Sequence, residues 1–271
     1  MRRSATILVM GLAVAQGAIA AQTEYRVESH GSNVVITAWR SQGESAASVL
    51  LVPGWADGPS DVLGIARTLS ENGVEAFVLT PRGWYESEGE ASFANALQDI
   101  GVALRWVREH SNREVVLGGH SFGGGMALVY AARDSTVRRI ISVAGTDHRI
   151  LIRHYLSDPD FAADFKPMLE STLAPEGPIR ADADSIIREL TEGQAAYGLQ
   201  EQASALAARS ILMFGGWEDV NVTVDESLLP FYRSLRAAGA ADVTFRVYHT
   251  NHGFGNVREA VQDEILAWLR R

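Results

Sequence analysis

Apolar positions along this chain fall into two periods. Two short alternating runs, residues 24–28 and 33–40, flank His30-Gly31-Ser32 and predict an antiparallel β-hairpin. Residues 48–53 (Ser-Val-Leu-Leu-Val-Pro) form a continuous apolar run, the pattern of a strand covered on both faces. Similar runs at 74–80, 115–117, 139–144, 210–214 and 243–248 predict further strands. Helical periods lie between them. Phe93, Leu97, Ile100, Leu104 and Val107 recur at the spacing of one helix face packed on a sheet. Residues 61–71, 126–133, 226–238 and 258–269 also read as helices. Strand and helix thus alternate, which is the signature of a mostly parallel central sheet with helices on both faces, an α/β fold.

One segment breaks the alternation. Residues 147–209 carry short helical stretches, Pro159, Pro167, Pro175 and Pro178, and several acids. They read as a small helical cap inserted at about 148–209 rather than as a second domain.

The N-terminus follows a different logic. Arg2 and Arg3 make a basic start, residues 5–15 are mostly apolar, and Ala18-Ile19-Ala20 is a small-x-small cleavage signal. These are the three regions of a secretory signal peptide. The apolar run is too short to span a bilayer, which takes about 20 residues. Cleavage after Ala20 or Ala21 is expected, so that residues 1–20 are a leader and 21–271 the mature domain, periplasmic or secreted, with no stable membrane anchor.

Composition narrows the chemistry. A formal net charge of −9 gives no electrostatic case for nucleic acid. The absence of cysteine excludes disulfides, thiolate metal sites and a cysteine nucleophile. There is no phosphate-binding loop and no dinucleotide fingerprint, and no metal or cofactor is expected.

The candidate chemistry centres on Gly118-Gly119-His120-Ser121-Phe122-Gly123-Gly124-Gly125. A serine with glycine at i−2 and i+2, between a strand and a helix, is the nucleophile-elbow pattern. A serine needs a base to take its proton. That base is usually a histidine oriented by a carboxylate, and in this architecture the chain order is serine, acid, histidine. Asp219 follows the strand ending at Phe214, and His252 follows the strand ending near Tyr248. Ser121, Asp219 and His252 therefore lie on loops past three strands of one parallel sheet, at the edge where ligands bind. Asp147, just past an earlier strand, is the rival acid. His120 is expected to point away from the pocket. Trp55, Trp84 and Trp217 lie on loops at strand ends, where Trp84 and Trp217 are candidates for an aromatic pocket wall.

With these motifs in hand, the sequence resembles the α/β-hydrolase superfamily over nearly the whole mature chain. Leu51-Val52-Pro53-Gly54-Trp55 is similar to the family's first oxyanion loop, with Pro53 where histidine is usual. Arg82-Gly83-Trp84-Tyr85-Glu86-Ser87 is similar to its D-x-R-G-x-G-x-S loop, with Thr80 for the acid and Tyr85 for the second glycine. The elbow, Gly216-Trp217-Glu218-Asp219 and Asn251-His252-Gly253-Phe254 match outright. The resemblance implies an oxyanion hole made by the backbone N–H groups of Trp55 and Phe122. It also implies a serine esterase acting on small-molecule carboxylic esters. The alternative is a serine exopeptidase of the prolyl-oligopeptidase-like type, with cap acids such as Asp158 or Asp160 holding a substrate amine.

Overall fold

The computed structural model describes residues 22–41 and 47–271. The leader assigned to residues 1–20 lies outside the described residues. Among those described, eight strands form one sheet in the order β1-β2-β4-β3-β5-β6-β7-β8. Strands β1 (Gln22–Ser29) and β2 (Ser32–Trp39) are the expected hairpin. His30 and Gly31 both take positive φ, 48° and 85°. That turn matches the twist of the flanking strands. β2 pairs antiparallel with β4 (Glu75–Thr80), and every later pairing is parallel.

β3 (Ala47–Val52), β5 (Glu114–His120) and β6 (Arg139–Val143) occupy the centre, followed by β7 (Ser210–Gly216) and β8 (Val243–Tyr248). Every residue of β3 is buried, as its unbroken apolar run requires. From β3 the chain steps outward to β4 and then returns to β5 on the other side of β3. The strand order therefore reverses between β3 and β5, and the crevice at their C-terminal ends is where such sheets hold ligands.

Two helix layers cover the sheet. α1 (Ile65–Glu71) packs against α10 (Arg258–Leu269). α2 (Phe93–His110), α3 (Phe122–Arg133), α8 (Leu199–Leu206) and α9 (Leu229–Ala237) pack in succession. The stripe from Phe93 to Val107 is buried throughout, as its spacing predicts. α1 starts four residues later than its polar–apolar pattern suggests. Leu63 and Gly64 sit at φ 51° and 75°, which no helix tolerates, and Asp61 accepts the N–H of Ala66 from outside the helix. α9 is likewise preceded by a π-helical turn at Val224–Leu228, and Pro230 stands in its first turn.

The inserted segment contributes α4 (His148–Ser157), α5 (Pro159–Ser171), α6 (Ala183–Glu192) and α7 (Gln194–Tyr197). α8 lies within the range assigned to the cap, yet it packs on α3 and α9 as part of the layer beside the sheet. Its burial of Leu199, Ala203 and Leu206 against those helices explains the placement.

Candidate active site

The elbow is built by exclusion of side chains. A Cβ on Gly119 would run into the backbone of Gly123 and the carbonyl of Val52, and one on Gly123 would strike the carbonyls of Val52 and Pro53. With glycine at both positions the chain turns sharply enough to hold Ser121 at φ 53°, ψ −119°, a conformation that L residues rarely adopt. Three backbone bonds hold it there. The Ser121 N–H donates to the Val143 carbonyl, and the Ser121 carbonyl accepts from Gly125 and Thr146. α3 begins immediately after, so its N-terminal partial positive charge faces the serine.

The structure brings Ser121, His252 and Asp219 together. His252 Nε2 lies 2.9 Å from Ser121 Oγ, and His252 Nδ1 lies 2.8 Å from Asp219 Oδ2. The Asp219 side chain is fully buried, and its other oxygen accepts the N–H groups of Asn221 and Val222, each at 2.9 Å. A buried carboxylate satisfied by three donors has a fixed position and can hold one imidazole orientation. Among the described residues, the backbone N–H groups of Trp55 and Phe122 have no protein acceptor. Phe122 directly follows the serine, and both residues line the cavity above it.

The rival acid has other duties. Asp147 Oδ1 accepts from the N–H groups of Arg149 and Ile150 at the start of α4. Its Oδ2 accepts from Leu199 N–H at the start of α8. Burial raises its carboxyl pKa, and those three bonds oppose the rise. It caps two helices and does not touch His252.

A cavity of about 460 Å³ opens over Ser121 and His252. Its wall is largely apolar: Trp55, Phe93 and Phe122 from the body of the fold, Phe161, Phe165 and Leu169 from α5. Two expected wall residues are elsewhere. Trp84 is buried behind Trp55, ring edge to ring at 5.4 Å, and bridges to Ile179 through its backbone. Trp217 is half exposed, and its backbone N–H donates to the Tyr248 carbonyl. Neither lines the cavity. Asp158 and Asp160 also stay outside it. Asp158 caps α5 through the N–H groups of Asp160 and Phe161. The apolar face of α5 was readable in principle, since Phe161, Phe165 and Leu169 recur every four residues.

His120 was expected to point away, yet its ring packs against that of His252 with centroids 4.8 Å apart and reaches the cavity. Its Nε2 faces the His252 carbonyl at 3.0 Å, and its Nδ1 faces Asp57 Oδ2 at 3.1 Å. Burial raises the Asp57 carboxyl pKa. The bond to His120 and the charges of His120 and His252 outweigh that, leaving it below the ordinary value. An ionised carboxylate and a carbonyl only accept, so the His120 ring stands between two acceptors, Asp57 and the His252 backbone. The Asp57–His120 pair therefore clamps the backbone of the loop that carries His252.

His148 opens the cap and stands in the cavity wall. Burial alone pushes its pKa down to about 3, so the ring is neutral at ordinary pH. Among the described residues, no cluster of three or more His, Asp or Glu side chains could hold a metal ion.

Residues 47–172 match the family model of the alpha/beta hydrolase fold. No curated protein sequence matches the chain. Several solved structures share its fold. Est1E from Butyrivibrio proteoclasticus, solved with ferulic acid, superposes with a TM-score of 0.67 at 13% identity, covering 90% of this chain and 97% of that one. An esterase from Pyrococcus furiosus gives 0.69 at 12% identity, with 93% and 91% covered. The acylaminoacyl peptidase of Pyrococcus horikoshii gives 0.67 at 17% identity over 92% of this chain but 41% of that one. The chain thus has the α/β-hydrolase fold, and the solved structures that share it include both esterases and a peptidase.

Proposed function

We propose that this protein is a serine hydrolase that cleaves small-molecule carboxylic esters through an acyl-enzyme. The observation that carries the reading is the unbroken chain from Ser121 through His252 to buried Asp219 at the floor of an apolar cavity. Ser121 Oγ attacks the ester carbonyl while His252 Nε2 takes its proton. Asp219 holds the Nδ1–H and stabilises the imidazolium. The oxyanion is received by the N–H groups of Trp55 and Phe122, and each such donor is worth about 3 kcal/mol. His252 then protonates the leaving alcohol. A water activated by the same nitrogen releases the acid.

The apolar wall supports an ester with a hydrophobic acyl or alcohol part. The exopeptidase reading needs a carboxylate placed to hold an amine. Of the carboxylates on the cavity wall, Asp57 is engaged by His120, which leaves Asp164 on α5 for that role; Asp158 and Asp160 lie outside the cavity. The basic start and short apolar run of residues 1–20 support export to the periplasm or beyond.

The test uses purified protein on p-nitrophenyl esters of rising acyl length beside aminoacyl p-nitroanilides. Ester turnover should exceed anilide turnover, and Ser121→Ala should lower kcat by about 10⁴ to 10⁶. A serine-directed phosphonate should label Ser121. Turnover of esters by the alanine variant at the wild-type rate would remove Ser121 as nucleophile, and faster cleavage of the anilides would favour the peptidase.

A further inference from the structure

Among the polar groups on the cavity wall, His148 carries a ring nitrogen that the acyl-transfer chemistry does not use. His148 Nδ1 lies 3.0 Å from the Thr146 carbonyl. A carbonyl can only accept, so Nδ1 carries the hydrogen. In a neutral imidazole the other nitrogen is then a bare acceptor. Nε2 has no protein partner among the described residues, and it is not sealed away from open space. The residue itself is only 2% exposed and lines the cavity, so the opening next to Nε2 is the cavity.

Its surroundings sharpen the point. The edge of the Phe93–His148 pair is T-shaped at 4.8 Å, and Phe122 packs at 5.6 Å. No charged group contributes to its pKa, and burial is the sole cause of the shift. An uncharged acceptor set in aromatic surroundings favours an uncharged donor, because no charged group acts on the ring to balance a cation beside it. An amide would also bring a carbonyl that the neighbouring rings cannot satisfy. A hydroxyl brings the donor on a single small polar atom, with no carbonyl beside it.

From this arrangement, and resting on the ester-hydrolase reading above, we infer that His148 Nε2 is a specificity-determining acceptor for a hydroxyl group carried on the part of the ester that enters the cavity. The substrates are then hydroxylated apolar esters rather than plain alkyl ones.

The experiment compares methyl hexanoate with its monohydroxylated isomers, following acid release, in wild type, His148→Phe and His148→Met. In the wild type at least one isomer should match or exceed the parent in kcat/KM. In both variants the ratio of that isomer to the parent should fall about tenfold or more, since the buried hydroxyl is left unpaired. The ratio is the readout, so it is independent of any common change in rate. The two variants guard against one failing to fold, as Met adapts to irregular gaps. If every isomer is penalised tenfold in the wild type, or if the ratio holds in the variants, His148 is not the acceptor. Hydrolysis of the parent with an unmoved ratio overturns this inference alone. Failure to hydrolyse any ester, the parent included, overturns the ester reading and this one with it.

Discussion

At the scale of single residues, position separates carboxylates that look alike in sequence. Asp219 and Asp147 are both buried and both accept backbone N–H groups, but only Asp219 reaches His252. Asp219→Asn should keep the geometry while favouring the wrong histidine tautomer, a loss of about 10⁴ by serine-protease precedent. Asp147→Asn should instead weaken two helix caps, costing about 1–2 kcal/mol of stability, with kcat/KM within tenfold of wild type. Measuring both variants on one ester decides the acid: greater damage from Asp147→Asn would move the role to the earlier strand. His148 offers a separate test through pH. Its folded pKa, near 3, lies below the ordinary value of 6.5. As pH falls through 6.5 the unfolded chain takes a proton that the folded chain refuses until about pH 3. Stability is therefore full above 6.5 and falls across that window. Urea midpoints at neutral pH and at pH 4.5 should show wild type losing more than His148→Met. Equal losses would mean that the ring titrates normally.

At the scale of elements, the strands and the catalytic loops were legible, and the pocket was not. Continuous apolar runs announce β3 to β7 because a doubly covered sheet allows no alternation. The elbow glycines, G-x-x-D and the histidine loop announce the reacting groups because each needs a fixed local backbone. Trp84 and Trp217 occupy equally suggestive loop positions, but depth is a tertiary property. Trp84 lies beneath Trp55, and Trp217 turns to solvent. The Asp57–His120 clamp was hidden for the same reason, since its members are far apart in sequence and meet only when β3 and β5 pair. Tyr85 takes φ 43°, and its hydroxyl donates to the Ala56 carbonyl at 2.9 Å, tying its loop to the one bearing Trp55, a contact no local pattern announces.

At the scale of the molecule, the cap is fastened to the body beside the cavity. Arg180 donates its N–H to the Gly83 carbonyl and accepts from Ala91 N–H. Glu189 on α6 reaches the first turn of α2, accepting from Phe93 N–H at 2.9 Å and Ala94 N–H at 2.7 Å, and it also accepts the Tyr197 hydroxyl. A carboxylate at a helix N-terminus satisfies orphan donors and meets the helix dipole. Here the capping carboxylate comes from the inserted segment, and Phe93, the first residue held, is a wall of the cavity. Glu189→Ala should therefore do two things at once. It should cost about 1–2 kcal/mol through the lost cap, a few degrees in Tm for a chain of this length. It should also raise KM more than it lowers kcat, because the cap and Phe93 lose their common anchor while the Ser121–His252–Asp219 contacts are untouched. The control is Ser92→Ala. Ser92 caps the same helix through Asn95 N–H, but it belongs to the body and makes no bond to the cap. The two variants should lose similar stability and differ in KM. If Ser92→Ala raises KM as much as Glu189→Ala, the effect comes from fraying of α2 alone, and the link from cap to cavity through Glu189 is not what shapes the site.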